Sequence, residues 1–536
     1  MPGKSGHVDC RGRAGQGPGR QFMSQVRRNL LANYLGQGWV AVMGLAFIPL
    51  YIRYLGMEAY GLIGVFALMQ AWLALLDMGM TPTLNREMAR FTAGAHSPQS
   101  IRDLLRSLEI LCFTIAAGIA VLVWTGSGYL ADGWLRAETL PTAVVAHALS
   151  VMALVVALRF VEGVYRGSLF GLQQQLWYNA TSAGIATLRH AGAVGVLAFV
   201  SPTVEAFFVW QGLISVISIA VFAARVHRSI PPPARPARFS RAELAGVWKF
   251  ASGMLGITLL ALVLTQVDKL ILSRMLSLTA FGYYTLAATI AGALYMVISP
   301  VTQSIFPRMV ELSTRGEEAA LTSVYHQGAQ LVTVLTAPAV MLICFFAAGA
   351  VFTWSGDVGL GVQTAPILVP LALGTFLNGL MWMPHQCQLA HGWTSLAFKT
   401  NLIAVAVLVP AIFWAVPRYG AVGAAWIWMA LNVGYVLIAL QFMHVRLLRG
   451  EKWHWYLRDV LLPLGAAAGV MALAAAVQPS GYDSRLQWAV FLVVSGGLAM
   501  AASLATAGHL RGRVTAAISS MRRQAQTRAR QGTHQN

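Results

Sequence analysis

Of 536 residues only 11% are Asp, Glu, Lys or Arg, while 57% are hydrophobic and the mean hydropathy is +0.62. Soluble domains carry about 25% charged residues, so this chain lacks the polar surface to cover several globules in water. An all-α polytopic membrane protein remains, with lipid as the solvent for most of its outward surface. The net charge of +19 would make nucleic acid a candidate partner, but the cations lie in short connectors and tails between apolar runs. Lipid phosphates and membrane insertion sort charge in that way, which argues against nucleic acid.

Stretches of about 20 apolar residues, long enough to cross ~30 Å of hydrocarbon as helix, predict fourteen spans. The first six are Asn29–Arg53, Ala59–Gly79, Leu104–Trp124, Thr142–Tyr165, Ser182–Val200 and Glu205–Ala224. A second six are Phe250–Leu272, Ala280–Phe306, Ala329–Phe352, Ala365–Gln386, Leu396–Val416 and Ala421–Phe442, followed by Val460–Val477 and Leu486–Ala507. Lys and Arg accumulate on the cytoplasmic side of a membrane protein. Thirty of the 38 fall in the N-terminal segment, every second connector and the C-terminal tail. Five fall on the opposite side, Arg53, Arg136, Arg274, Arg418 and Arg485, and Arg159, Arg189 and Lys269 lie within spans. An even number of spans with that asymmetry predicts both termini in the cytoplasm.

Residues 1–28 form a basic, Gly-rich segment without an apolar stretch, so they are no secretory signal and are expected to be disordered. Met23, six residues before the first span, is the expected natural start. Residues 225–249 contain Pro231, Pro232, Pro233 and Pro236 among arginines, the composition of an extended linker. The linker separates an N-lobe, 29–224, from a C-lobe, 250–442; helices over 457–507 and a basic tail, 508–536, complete the chain. Cys10, Cys112, Cys344 and Cys387 show no paired spacing, so neither a disulfide framework nor a metal knuckle is indicated.

Shifting the sequence by 221 positions aligns Arg53 with Arg274, Leu55 with Leu276, Ala59 with Ala280 and Gly61 with Gly282 without a gap. The same shift pairs Ala67 with Ala288, Leu73 with Leu294, Thr81 with Thr302 and Met88 with Met309. Repeats with an even number of spans enter the membrane the same way and are related by an axis along the membrane normal. A substrate path is then expected between the two bundles, which rock against each other.

Leu30-Leu31-Ala32-Asn33-Tyr34-Leu35, Pro49-Leu50-Tyr51-Ile52-Arg53-Tyr54-Leu55-Gly56 and Ala59-Tyr60-Gly61-Leu62 resemble the opening of the polysaccharide-transport family. Asp268-Lys269-Leu270-Ile271-Leu272, Ala280-Phe281-Gly282-Tyr283-Tyr284 and Ala287 look like its second-half counterpart. Arg166 with Gly171-Leu172-Gln173 and Asn179 is similar to the family's segment entering span five. That family belongs to the multidrug, oligosaccharidyl-lipid and polysaccharide exporter superfamily, and its bacterial members are Wzx-type flippases. The resemblance implies a bacterial inner-membrane flippase, not an enzyme. It would turn undecaprenyl-diphosphate-linked oligosaccharide to the periplasmic leaflet for O-antigen, capsule or exopolysaccharide. Its partners would be that glycan, membrane lipids and other polysaccharide-assembly proteins. No cofactor is implied; proton coupling, sodium coupling and product removal alone all fit.

A diphosphate anion needs cations facing a hydrated cavity. Arg159, Glu162, Arg166 and Gln173, spaced by three, four and seven, share one helical stripe, on which guanidiniums hold phosphate and Glu162 tempers their repulsion. The plainer alternative is arginines snorkelling to lipid phosphates. Arg189 and His190 lie two turns into span five, where Arg189 either binds ligand or pairs with Glu162, and His190 is a hydrogen-bonded interior residue or a proton relay. Asp268 and Lys269 are expected to anchor helices as an ion pair, with ion coupling as the alternative, and Asp77 to pair with Arg86 or Arg90. Arg53 and Arg274, equivalent in the repeat, either draw the diphosphate outward or snorkel. Gln37, Gln266, Asn378, His385 and Asn401 are candidate sugar contacts, and Trp453 and Trp455 beside Lys452 are expected interface anchors.

A multidrug antiporter of the same superfamily is expected to hold an acidic site in its N-terminal half, yet span one has no Asp or Glu. A lipid II flippase is nearer in chemistry. A membrane glycosyltransferase or polymerase needs carboxylates on a sizeable outer loop, whereas Thr125–Pro141 offers only Asp132 and Glu138.

Overall fold

Hydrocarbon tolerates only backbone that is hydrogen-bonded within its own segment or closed into a barrel. The long Leu-, Ala- and Val-rich runs meet that demand as helices. The structure is a computed structural model describing residues 34–77, 79–232 and 235–511, without the side chains of 74–76, 246–261 and 264. The basic segment 1–28 with Met23, and the tail beyond Arg511, lie outside the described residues.

The first lobe comprises α1 (Tyr34–Leu55), α2 (Met57–Leu76), α3 (Met80–Thr92), α4 (Pro98–Tyr129), α5 (Thr142–Gly171), α6 (Gln175–Phe199) and α7 (Val204–Ser229). The second comprises α8 (Arg241–Met275), α9 (Leu278–Arg315), α10 (Glu318–Ser355), α11 (Val358–Leu380), α12 (Trp382–Ala390) and α13 (Ser395–Arg446). Two further helices, α14 (Lys452–Ala475) and α15 (Arg485–Thr506), pack on α10. Among the described residues eleven helical stretches are long and apolar enough to cross a membrane, and α2 contributes a shorter apolar run. Outward-facing side chains such as Leu122 and Val493, 71% and 75% exposed, form a lipid-facing surface.

Predicted spans eleven and twelve are the two arms of α13. The chain reverses at Gly420, whose φ of +59° lies in the region that only glycine enters freely. The arms then run antiparallel, and Tyr435 Oη donates to Asn401 Oδ1 at 3.0 Å. Other helices outrun the predicted spans. Hydropathy reports only the lipid-embedded stretch, while charged turns continue the helix beyond it. In α9, Arg308 and Arg315 close on Glu311 at 2.6 and 2.8 Å, the i,i+3 and i,i+4 spacing that steadies exposed helix.

The lobes meet where α2 crosses α9, with Phe281 and Leu286 of α9 buried in the core that joins them. A Cβ at Gly282 would lie 2.7 Å from the Met57 carbonyl oxygen, and one at Gly61 would collide with the Leu278 carbonyl. At the same end, Leu278 N donates to Arg136 O at 2.8 Å and Trp134 Nε1 to Ser273 Oγ at 3.0 Å, so the segment after α4 straps onto the second lobe. Glu58 accepts from Thr139 N at 2.9 Å and from Thr139 Oγ1, tying that strap to α2.

The linker expected over 225–249 is shorter than its composition suggests: α7 runs on to Ser229 and α8 starts at Arg241, and of the described residues only 230–232 and 235–240 are non-helical, and these are docked. Asp103 on α4 accepts from Arg238 N at 2.8 Å and from Arg235 Nη2 at 3.1 Å. Arg102 donates to Ile230 O at 2.7 Å. The expectation for Trp455 is corrected: it is fully buried, whereas Trp453 is 64% exposed with the Lys452 ammonium 4.8 Å from its ring. Residues two apart on a helix point about 200° apart, so both could not face the interface.

Candidate functional site

Four charged side chains in apolar helices converge on a cavity of about 680 Å³ inside the first lobe, lined by α1, α2, α3, α5, α6 and α7. Arg159, Glu162 and Arg166 of α5 line it together with Arg189 and His190 of α6, as the helical spacing predicts. Gln173 does not join them. Helix α5 ends at Gly171, and Gln173 has turned off its axis with a φ of +58°.

Arg159 is held without being neutralised. Its Nη1 donates to Gln70 Oε1 of α2 at 2.6 Å and its Nη2 to Gln211 Oε1 of α7 at 2.8 Å, while the guanidinium lies 5.0 Å from the centre of the Phe66 ring. Its Nε is buried and, among the described residues, has no hydrogen-bond partner. Among the described residues no carboxylate forms an ion pair with it, although a buried cation would ordinarily be paired. Gln70 and Gln211 escaped the sequence reading, because a neutral amide barely registers in an apolar run. Their mid-helix positions were the available signal, since a polar amide in hydrocarbon needs a partner.

Arg189 lies 3.9 Å from Glu162, close enough for Coulombic attraction but too far for a hydrogen bond. It thus lies beside Glu162 and also lines the cavity, so both roles the sequence offers it, ion pairing and ligand binding, stay open. Arg166 is exposed to the cavity. The formal charge of the lining is three arginines against Glu162 and Asp77, a net excess of one positive charge. His190 Nδ1 shares a hydrogen bond with Tyr51 Oη at 2.9 Å, which fixes α6 to α1 as an interior contact.

Several expectations are corrected. Asp77 does not pair with Arg90. It accepts from Thr81 N at 3.2 Å and Thr81 Oγ1 at 2.7 Å, capping α3, while Arg90 and Arg86 reach Glu87 at 2.8 and 3.8 Å. A broken helix leaves free N–H groups at its restart, and the carboxylate at the break satisfies them. Asp268 and Lys269, in contrast, do form the expected ion pair, 3.7 Å apart, and Asp268 accepts from Tyr284 Oη at 3.0 Å, which joins α8 to α9 away from the cavity. Arg53 and Arg274 also lie off the cavity; both are exposed, and Arg274 sits 5.2 Å from the centre of the Trp134 ring. Of the candidate sugar contacts, Asn378 is tied to Asn432 and Tyr295 at 2.9 Å each and Asn401 to Tyr435, and none of the five lines the cavity. The guanidiniums gather inside the first lobe, whereas the repeat places the path between the lobes.

A two-lobed, multi-pass helical protein with a cationic cavity in one bundle has the architecture of a membrane exporter. The chain belongs to the family described as "Polysaccharide biosynthesis protein", whose profile matches residues 26–313. It is 21% identical over 427 residues to a "Putative O-antigen transporter" of Shigella flexneri, covering 79% of this chain and 98% of that protein. The fold is shared with the lipid II flippase MurJ in its inward closed conformation, at a TM-score of 0.67 and 13% identity over 88% of this chain and 98% of that one. It is shared too with an inward-facing multidrug MATE transporter of the MOP superfamily, at a TM-score of 0.56 and 14% identity over 78% and 95%. These relatives and neighbours are transporters and flippases rather than catalytic enzymes, and the chain is a multi-pass membrane transporter.

Proposed function

We propose that the protein turns an undecaprenyl-diphosphate-linked oligosaccharide from the cytoplasmic to the periplasmic leaflet of a bacterial inner membrane, supplying surface polysaccharide assembly. The observation that carries this reading is Arg159, a buried guanidinium held by two amide carbonyls and left without a carboxylate. A charge so placed within a membrane protein is costly unless an anion arrives to compensate it. A diphosphate is such an anion, and a guanidinium meets its oxygens with a planar fork. The cavity has the volume of pockets that enclose a drug-sized ligand, enough for the diphosphate and the sugar next to it.

The sorting of Lys and Arg supports cytoplasmic termini. The lobes, crossing at α2 and α9, are the bodies that would rock to expose the cavity to either side. Asp77 as a helix cap, His190 bonded to Tyr51, and the Asp268 and Lys269 pair act structurally in this reading. A cationic drug would meet a wall of net positive charge, which disfavours a multidrug antiporter. A lipid II cargo would present a diphosphate to the same guanidiniums and differs in the group that the diphosphate carries.

The test is deletion of the gene, followed by identification of the undecaprenyl-linked glycan trapped facing the cytoplasm. Accumulation of a surface-polysaccharide unit, relieved by the wild-type chain but not by Arg159→Ala at equal protein level, is expected. Accumulation of lipid II instead would reassign the cargo, and normal glycan with no trapped intermediate would refute the flippase reading.

A further inference from the structure

At the far end of the second lobe, three histidines from distant parts of the chain come together. His326 near the start of α10 stacks on His454 of α14, with ring centroids 4.4 Å apart. His509, which follows α15, places its ring 6.0 Å from His326 and 5.7 Å from His454. Two carboxylates complete the group. Glu451 Oε2 faces both rings, 3.1 Å from His326 Nε2 and 3.6 Å from His454 Nδ1. Asp459, wholly buried, bonds the other face of His326 through Nδ1. Ligand-capable atoms of His326, His454 and Asp459 lie within 4.8 Å of one another.

We propose that this cluster binds a divalent transition-metal ion of the zinc class through His326 Nε2, His454 Nδ1 and Glu451 Oε2. Zinc takes nitrogen and oxygen ligands at about 2.0–2.2 Å in a tetrahedron, which sets neighbouring ligand atoms about 3.3 Å apart. The separations of 3.1 and 3.6 Å bracket that edge. The longer one is no hydrogen bond, so direct bonding to Glu451 does not account for where His454 sits. Asp459 supplies the support a ligating imidazole requires. By accepting from Nδ1 it orients the ring so that Nε2 points at Glu451, where a bound ion takes the place of the Nε2 proton. Gln330 Nε2 in turn holds Asp459 Oδ1 at 3.0 Å, and Gln330 Oε1 accepts from His509 N at 3.0 Å. The side chains of Glu451 and His454 are about one-third exposed, at 33% and 30%, which gives an ion a route in. Water supplies the fourth ligand.

Bound there, the ion joins α10 to the beginning of α14 and to the chain leaving α15, and so pins the terminal helix pair to the second lobe. The role is structural and separate from the arginine cavity. The experiment uses the full-length protein, purified in detergent without a histidine tag. Its metal content is measured, and its thermal midpoint is followed as EDTA and then Zn²⁺ are added. About one zinc per chain is expected, with a midpoint that falls on chelation and returns with Zn²⁺. His454→Ala and Glu451→Gln should abolish both responses, and Asp459→Asn should weaken zinc binding about 10- to 100-fold. Arg159→Ala should bind zinc as the wild type does. A wild-type protein that retains no metal and whose midpoint ignores Zn²⁺ would overturn the proposal, as would zinc binding unchanged in both His454→Ala and Glu451→Gln.

Discussion

Gly61 and Gly282, 221 residues apart, face each other across the contact between the two lobes: a Cβ on Gly282 would lie 3.3 Å from Gly61 N. Each glycine admits the carbonyl that opens the other's helix, Leu278 for Gly61 and Met57 for Gly282, and those two residues are themselves 221 apart. The contact is therefore reciprocal, as a two-fold axis between repeats requires. Close approach of helix backbones depends on the absence of side chains there. Gly282→Ala puts a methyl 2.7 Å from backbone that cannot turn aside, and should cost about 1–3 kcal/mol by overpacking. The thermal midpoint in detergent should fall, while Gly184→Ala, with open space around it, should leave it within about 0.5 kcal/mol. Equal midpoints for the two variants would show that the crossing is looser than the distances imply.

Arg159 makes charge-assisted bonds to neutral amides, each worth about 1.5–3 kcal/mol, and keeps its charge for a ligand. Gln211→Glu would put a permanent carboxylate where the amide now sits 2.8 Å away. The resulting internal ion pair should preserve or raise protein level while lowering glycan export about 10-fold or more, as the cargo then competes with a built-in anion. Arg159→Lys keeps the charge but cannot reach Gln70 and Gln211 together, and should also lower export. Surface glycan measured at matched protein level checks both. Full export by Gln211→Glu would mean that Arg159 needs no external anion.

The sequence disclosed Arg159, Glu162, Arg166 and Arg189 because ionised groups in apolar runs are conspicuous, and their helical spacing placed three of them on one face of α5. It did not disclose the cavity's position, which depends on how the faces of α2, α5, α6 and α7 meet, a tertiary property with no one-dimensional trace. The offset of 221 revealed the repeat, since equivalent packing selects equivalent small residues at Gly61 and Gly282. His326, His454 and His509 carry no spacing signature, because more than fifty residues separate each from the next. Asp77 was assigned to the wrong partner because hydropathy does not reveal that a helix breaks and restarts at Gly79.

The strap after α4 gives a direct test of lobe movement. Arg136 and Ser277 form a parallel bridge, and Leu278 N donates to Arg136 O at 2.8 Å. Bridged residues lie about 5 Å apart at Cα, within the range a disulfide spans. The pair Arg136→Cys and Ser277→Cys should therefore crosslink on oxidation and hold this end shut. If export requires the lobes to part here, oxidised cells should lose surface glycan and regain it with reductant, while either single variant exports normally. Export through the crosslinked protein would place the moving parts elsewhere.

Asp103 governs how the linker is held. Its side chain is 6% exposed and accepts from Arg238 N, Arg235 Nη2 and Gln99 Nε2, so one carboxylate secures both the linker backbone and a linker guanidinium. Asp103→Ala removes all three hydrogen bonds at once, among them the one that holds the linker backbone at Arg238 N, a loss of about 0.5–3 kcal/mol per bond. Most of that should appear as local release rather than global unfolding, because the linker adds little to the apolar core. Limited proteolysis should then cut within 231–240 several times faster than in the wild type while the thermal midpoint barely moves. Asp103→Asn keeps a carbonyl acceptor for Arg238 N and should lie between the two. If cleavage does not quicken in Asp103→Ala, other contacts must hold the linker, Arg102 on Ile230 and Ser107 on Ser240 foremost among them.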